Sequence, residues 1–334
     1  MVQDKELSTP KAKTSRPILL WIGKLVVTVL ILSYIFKTFR NEQKGIGDIG
    51  VVFQEILTSE HFPVIFTMLI LVPFNWAMES LKWQKLAQKI IPIGFWEAFR
   101  GTLTGLAVGV AVPAQLGDTL GRVASLKSDR RLEAIGAALI SNGIQFYVSV
   151  LAGTIGWLHL RSKLAISTTT ENAITALLAL IIVLGIVTVA FRKPLTDWHP
   201  QRKVFRKLHN YLKIIGNYTS SELALTTLYG LIRYMIFLTQ FILALSLFDF
   251  PVGYDELASC VTLIFLAKTL IPAVNVLGDL GLREFTALVV FASYGLPAEK
   301  VIAATFLVWI INVLGPILVG IFLIWKYKWK RIKF

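Results

Sequence analysis

Long apolar runs constrain the fold of this chain more than any other feature of its sequence. A transmembrane helix needs about 20 consecutive, mostly apolar residues. The runs that approach or exceed this length cover residues 18–36, 62–78, 134–160, 173–191, 223–248 and 301–325. Only 16% of the residues are charged, whereas soluble domains carry about 25% charged residues. The sequence therefore predicts an all-α polytopic membrane protein with about six full transmembrane helices.

Two further apolar segments, 98–115 and 257–271, each run into a polar interruption. The first interruption reads Leu-Gly-Asp-Thr-Leu-Gly-Arg at 116–122, the second reads Leu-Gly-Asp-Leu-Gly-Leu-Arg at 277–283, and a Pro-Ala pair lies shortly before each. Hydrocarbon tolerates such an interruption only where protein or water surrounds it. We therefore expect two re-entrant helical hairpins, near residues 97–133 and 257–296.

The basic residues indicate how these segments are threaded, because cytoplasmic loops collect Lys and Arg. If the first hairpin enters from inside and the second from outside, 24 of the 34 basic residues lie on the cytoplasmic side. This count includes a loop that begins at Lys82, since Pro73 is expected to shorten the second run. Opposite entry of similar hairpins is the pattern of inverted-topology repeats, although so short a duplication leaves coincidence as an alternative.

This threading also gives the domain organisation. Residues 1–17 form a cytoplasmic tail, residues 18–325 form a single transmembrane domain, and residues 326–334 form a basic tail, so that both termini are cytoplasmic. The retained first helix lacks the small-residue cleavage site of a signal peptide.

Each interruption contains the residues expected at the start of an anion-binding helix. Gly117 and Gly278 are placed to end one short helix, and Asp118 and Asp279 are placed to cap the next. The new half-helix then directs the positive end of its dipole into the membrane. Such an end binds phosphate or carboxylate.

Arg122 and Arg283 follow these acids by one helical turn and would add charge-assisted donors for the same anion. The alternative is that each Arg pairs with the Asp of its own helix, because most pairs at this spacing are structural. The anion-site hypothesis predicts that both Arg side chains approach one cavity near the midplane of the membrane.

Other polar residues inside the apolar segments are also candidates, because an intramembrane charge is costly unless it faces a partner or a cavity. Arg233 falls near the middle of its run, Lys268 flanks the second interruption, and Glu284 follows Arg283. Amides in such segments more often join helices than bind ligands. Those amides are Asn142, Gln145, Asn275 and Asn312, of which the first three are secondary candidates for the site.

Several classes of function lack the residues that they need. The four histidines are scattered without a second ligand at metal spacing, and no phosphate-binding Walker loop occurs. We expect no metal and no cofactor. Membrane orientation explains the net charge of +14 without nucleic acid. The expected partners are the membrane and a phospholipid or lipid-linked substrate, and the oligomeric state stays open, with a homodimer among the options.

The segment 112–122 and the element Gly-Asp-Leu-Gly-Leu-Arg-Glu at 278–284 resemble the membrane domain of bacterial lysylphosphatidylglycerol synthases and their stand-alone flippase-like relatives. That family typically shows Pro-x-x-x-Gly-(Asp/Glu)-x-x-Arg and, later, Gly-x-Gly-x-Arg-Glu. Here the first Arg follows its acid by four residues, and Gly-Asp-Leu-Gly stands where relatives often have Gly-Gly-x-Gly. The resemblance implies a domain that moves phospholipid or aminoacylated phospholipid between leaflets.

The resemblance does not imply the synthase reaction. In the family that activity resides in an additional soluble domain after the membrane part, and only a short basic tail follows residue 325 here. We therefore expect a stand-alone member that is a flippase or scramblase of the bacterial inner membrane and not an enzyme. Two alternatives stay open: a membrane-embedded transferase acting on a polyprenyl phosphate or glycolipid, and an accessory subunit that presents lipid to a separate enzyme.

Overall fold

The computed structural model describes residues 25, 26, 29, 33, 54, 56–111, 116–126, 128, 131–164, 166–197, 201, 215–271 and 282–326. Most of the predicted first helix at 18–36 lies outside the described residues, and so do the predicted tails apart from Lys326. The second interruption also lies outside them up to residue 281. The predictions for Asn275, Gly278 and Asp279 therefore concern residues that are not described.

Helices account for the regular structure of the described residues. They are α1 (Phe62–Ala87), α2 (Phe95–Ala111), α3 (Leu116–Ala124), α4 (Ile135–Leu160), α5 (Thr168–Ala190), α6 (Arg192–Asp197), α7 (Ser220–Ser246), α8 (Tyr254–Leu270), α9 (Leu282–Ala292), α10 (Ala298–Trp309) and α11 (Gly315–Lys326). Short 3₁₀ helices at Arg131–Ala134 and Arg161–Lys163 flank α4. A π turn at Ile310–Leu314 joins α10 to α11.

Five helical segments in the described part of the chain are long and apolar enough to cross a membrane. They are Phe62–Ala87, Ile135–Lys163, Thr168–Ala190, Ser220–Ser246 and Ala298–Lys326. Each overlaps one of the apolar runs predicted after residue 36, which confirms an all-helical protein with several membrane-spanning helices. The total of six spans stays a prediction, because the first run is mostly not described.

The second predicted run is longer than the sequence suggested. Helix α1 continues through Pro73 to Ala87, so the expectation that Pro73 shortens this run was wrong. Proline is tolerated inside membrane helices where neighbouring groups satisfy the freed backbone. The added turns contain good helix formers and bury residues at helical spacing. These buried residues are Glu79, Lys82, Trp83 and Leu86, so Lys82 lies in a helix and not in a loop.

Helices α2 and α3 form an antiparallel hairpin whose backbones touch through glycines. A methyl group added to Gly121 would lie 2.7 Å from the Cα of Gly105, and one added to Gly117 would lie 2.5 Å from the carbonyl oxygen of Val108. Small residues four positions apart permit such close approach between membrane helices. The first interruption is therefore a short helix that packs back onto α2. Gly117 and Asp118 lie inside the first turn of this helix, so the expectation that Gly117 ends one helix and Asp118 caps the next was wrong.

A capping box sets the start of α7. The Thr219 hydroxyl accepts from the backbone N–H of Glu222, and the Glu222 carboxylate accepts from the backbone N–H of Thr219. Just before this cap, the Tyr218 hydroxyl donates to the Leu86 carbonyl oxygen at 2.9 Å. Because α7 starts where α1 ends, the two helices pack antiparallel.

The pairs α2–α3 and α8–α9 begin at opposite ends of the bundle. The side chain of Gln88, after α1, donates to the Ile93 carbonyl oxygen just before α2. The start of α4 packs against the hydrophobic residues between α1 and α2, at the same end of the bundle. At the opposite end, Lys163, after the end of α4, pairs with Glu256 in the first turn of α8. Inverted hairpins require such opposite starts. Their re-entry into a membrane and their relation as repeats stay predictions.

The glycine contact between α2 and α3 predicts a stability difference between two alanine substitutions. Gly121→Ala places a methyl group against backbone atoms and should cost about 1–3 kcal/mol in the free energy of unfolding. Gly143→Ala, on α4, meets no atom within 4 Å and should be neutral or gain up to about 1 kcal/mol from helix propensity. Thermal unfolding in detergent, followed by dye labelling of the buried Cys260, measures both. Equal midpoints for the two variants would contradict the contact.

Candidate functional site

Glu79 is an enclosed carboxylate surrounded by three cations. Its side chain is 3% exposed, and its Oε2 lies 2.8 Å from Lys82 Nζ and 3.2 Å from Arg233 Nε. Its Oε1 lies 2.9 Å from Arg122 Nη1. Lys82 follows one turn later on α1, Arg122 comes from α3, and Arg233 comes from the middle of α7. Removing an ion from water costs several kcal/mol unless partners compensate, so these groups stabilise one another's burial.

Asp118 extends this group of charges along α3. Its Oδ1 lies 2.9 Å from Arg122 Nε, and Asn142 Nδ2, on α4, donates to its Oδ2 at 3.4 Å. The pair within one helix that was the alternative to an anion site is therefore present. Arg122 also contacts Glu79 on α1, however, so the pair belongs to a larger group that joins several helices.

Lys82 is the most deeply buried of the cations, with a side-chain exposure of 0%. Besides Glu79, its ammonium donates to Gln145 Oε1 on α4 at 3.1 Å. We call the set of Glu79, Lys82, Asp118, Arg122 and Arg233 the charge cluster. Helices α1, α3, α4 and α7 meet at it, with α4 supplying the amides Asn142 and Gln145.

With Lys82 protonated, the charge cluster holds three cations and two carboxylates, which leaves one positive charge in excess. The N–H groups at Arg122 Nη1 and Arg233 Nε lie at ion-pair distance from Glu79 but are not aligned for hydrogen bonds. Excess positive charge and guanidinium groups are suited to an anion, phosphate above all. In the described part of the chain, no group of three His, Cys, Asp or Glu side chains could hold a metal.

An aromatic ring supports Arg233 from one side. The guanidinium carbon lies 5.3 Å from the centroid of the Trp76 ring, which is within the range of a cation–π interaction. The Trp76 indole N–H donates to the carbonyl oxygen of Asn312 at 3.1 Å. Since Asn312 lies in the π turn between α10 and α11, the last predicted span fixes the position of this ring.

The amide side chains near the π turn join helices. Asn75 Nδ2 donates to Asn312 Oδ1 at 2.9 Å, and Asn312 Nδ2 donates to Gln240 Oε1 at 2.7 Å. Gln240 Nε2 in turn donates to the Met68 carbonyl oxygen at 2.9 Å. Asn312 therefore connects helices, as expected for an amide in an apolar span.

Of the second interruption and its flanks, the structure describes Arg283, Glu284 and Lys268. Arg283 Nη2 lies 2.5 Å from Glu284 Oε1, and both side chains are buried in the first turn of α9. Lys268 is partly buried in the last turn of α8. The approach of Arg122 and Arg283 to one cavity stays a prediction.

Five of the residues singled out from the sequence thus lie together. Asp118 and Arg122 supply charges, Arg233 reaches the same carboxylate, and Asn142 and Gln145 contact the cluster through α4. Gly117 serves the packing of α3 on α2. Sequence reasoning missed Glu79 and Lys82, because it ended the second run before them. An acid and a base three residues apart, in phase with a buried helix face, were the available signal.

Comparisons with known proteins agree with a membrane domain. A family model described as the lysylphosphatidylglycerol synthase TM region matches residues 20–320. No curated protein and no solved structure matches the chain.

The central position of Glu79 predicts a large loss of stability when its charge is removed. Glu79→Gln leaves three buried cations opposite Asp118 alone and should cost about 3–5 kcal/mol in the free energy of unfolding. Glu171→Gln is the matched control, since Glu171 pairs with Arg161 at 3.4 Å on the surface and should cost at most about 1 kcal/mol. Unfolding in detergent compares them.

A charge-compensating variant tests the same electrostatic cause. Lys82→Met added to Glu79→Gln removes one of the surplus cations, so the double variant should lose less stability than the two single variants together. A loss for Glu79→Gln no larger than that for Glu171→Gln would show that the carboxylate does not stabilise the cluster.

Proposed function

Because the chain belongs to the lysylphosphatidylglycerol synthase transmembrane family, we propose that it moves an anionic or aminoacylated phospholipid between the two leaflets of a bacterial inner membrane. The family and the several apolar helices make it a multi-pass membrane protein with a lipid-related function. The charge cluster is the observation that carries the transport proposal.

The phosphodiester of the lipid is the group that the charge cluster binds in this proposal. It brings one negative charge to a site with one positive charge in excess. Arg122 and Arg233 offer N–H donors that have no aligned acceptor, and guanidinium groups bind phosphate oxygens in a planar, two-pronged manner. The acyl chains stay in the bilayer, so only the headgroup needs a polar path.

The two more exposed side chains of the charge cluster would meet the headgroup first. The side chains of Arg233 and Asp118 are 18% and 20% exposed, whereas those of Glu79, Lys82 and Arg122 are 5% exposed or less. Asp118 would contact the cationic part of an aminoacylated headgroup, and Arg233 and the more deeply buried Arg122 would contact its phosphate.

The second interruption supplies the other half of the path in this proposal. Arg283, paired with Glu284 in α9, would receive the phosphate when the lipid passes to the other leaflet, and Lys268, Gly278 and Asp279 are further predicted members of this half. Both termini are cytoplasmic, and the two hairpins enter from opposite faces. The transport step breaks no covalent bond, and the protein is not an enzyme in this proposal.

Leaflet exchange in proteoliposomes tests the proposal. The purified full chain is reconstituted with trace fluorescent phosphatidylglycerol, and the fraction accessible to an external quencher is followed in time. Wild type should exchange the lipid faster than protein-free vesicles. Arg233→Gln should slow exchange about tenfold or more, because a hydrogen bond to a charged group contributes about 1.5–3 kcal/mol.

Arg161→Gln is the control for this measurement, because Arg161 pairs with Glu171 outside the charge cluster and should leave exchange unchanged. The double variant Arg122→Ala plus Arg283→Ala should exchange no faster than protein-free vesicles. Wild-type exchange no faster than that of this double variant would refute the transport proposal.

A further inference from the structure

The three cations of the charge cluster differ in one chemical respect. A guanidinium group keeps its proton in proteins, whereas the ammonium of a lysine can release one. Lys82 is therefore the cation in the cluster that can change its charge, and it is also the one with no exposed side-chain surface.

Charged and polar groups from four helices lie around Lys82. Glu79 comes from its own helix at 2.8 Å and Gln145 from α4 at 3.1 Å. Arg122 on α3 and Arg233 on α7 lie on the other sides of the Glu79 carboxylate. Two neighbouring guanidinium groups repel the ammonium, and one carboxylate is shared among all three cations.

The excess positive charge of the cluster can be neutralised in two ways. A bound anion adds one negative charge, or Lys82 releases its proton. Protonation of Glu79 or Asp118 acts in the wrong direction, since it would raise the excess from one positive charge to two. A buried site disfavours uncompensated charge, so the empty cluster favours the neutral amine and the occupied cluster favours the ammonium.

We propose that the charge cluster takes up its anion together with one proton, and that Lys82 is the group that carries the proton. The inference rests on the proposed anion site and adds a coupling between lipid movement and a proton gradient.

The proton step is balanced. When the anion leaves, an N–H bond at Lys82 Nζ breaks, the electron pair stays on nitrogen, and the proton passes to water. The amine can still donate to Gln145 Oε1, while Glu79 keeps Arg122 and Arg233. When a phosphodiester anion returns, water supplies the proton and the N–H bond forms again.

Movement of a monoanion with one proton is electrically neutral, which gives a sharp test. Proteoliposomes with trace fluorescent phosphatidylglycerol receive either a pH difference or a membrane voltage. An acidic exterior should enrich the labelled lipid in the inner leaflet, by up to about tenfold for a difference of about one pH unit. A voltage alone should leave the distribution unchanged. Protein-free vesicles correct for unassisted movement.

Lys82→Arg fixes the positive charge and should reverse both responses. Its exchange should ignore the pH difference and follow the voltage. Lys89→Arg is the matched control, because Lys89 follows α1 and pairs with Glu222 outside the cluster, and it should behave as wild type. Wild type that responds to voltage and not to pH would overturn the inference, and so would a pH response that persists in Lys82→Arg.

A measurement on wild type alone covers the case in which Lys82→Arg does not fold. Calorimetric titration with short-chain phosphatidylglycerol in two buffers of different protonation enthalpy gives the protons taken up per lipid bound. The number of protons taken up per lipid bound should approach one at a pH between about 6 and about 10. The upper end of this range lies near the ordinary lysine pKa. Zero uptake throughout this range would overturn the inference.

The outcomes also separate this inference from the proposed function. Lipid exchange that ignores the pH difference leaves the transport function standing and removes the coupling. Uptake of radiolabelled inorganic phosphate driven by the pH difference, without lipid exchange, would keep proton coupling but identify a free anion as the ligand. Absence of both activities would refute the coupling and the transport proposal together.

Discussion

The burial of Glu79 is the constraint on which the arrangement of this bundle depends. A single carboxylate in the interior attracts Lys82 from its own helix, Arg122 from α3 and Arg233 from α7. Since each cation would be costly to bury without it, the carboxylate fixes where three helices meet. The glycines of α2 and α3 serve the same end, because their close contact lets a short helix bring Asp118 and Arg122 to α1.

The sequence predicted the helical architecture well, because length and apolar composition suffice to identify a membrane span. The runs containing Arg233 and Asn142 became α7 and α4 with ends only a few residues from those expected. The first interruption was also recognisable, since a Gly-Asp pair and an Arg one turn later are unusual in hydrocarbon. The glycine spacing that packs α3 on α2 was present in the sequence as well.

The centre of the site was harder to predict, because hydropathy treats a charge as the end of a span. Glu79 and Lys82 therefore marked a boundary, although each is buried through partners far away in the chain. Those partners cannot be identified from a single sequence, since ion pairing between helices has no local signature. The spacing of residues along one helix face predicts the end of α1 better than hydropathy does. Glu79, Lys82 and Leu86 continue one buried face of α1 past the last apolar residue of the run.

Stability alone does not explain why five charged residues meet where four helices pack. Well-packed apolar side chains of similar volume often replace a buried ionic group without loss of stability, and sometimes with a gain. The amide network around Asn312 already joins α1, α7 and the π turn without any charge. A cluster with one cation in excess and two guanidinium donors without aligned acceptors is therefore the feature that the proposed lipid-phosphate site accounts for and that helix packing alone leaves without a reason.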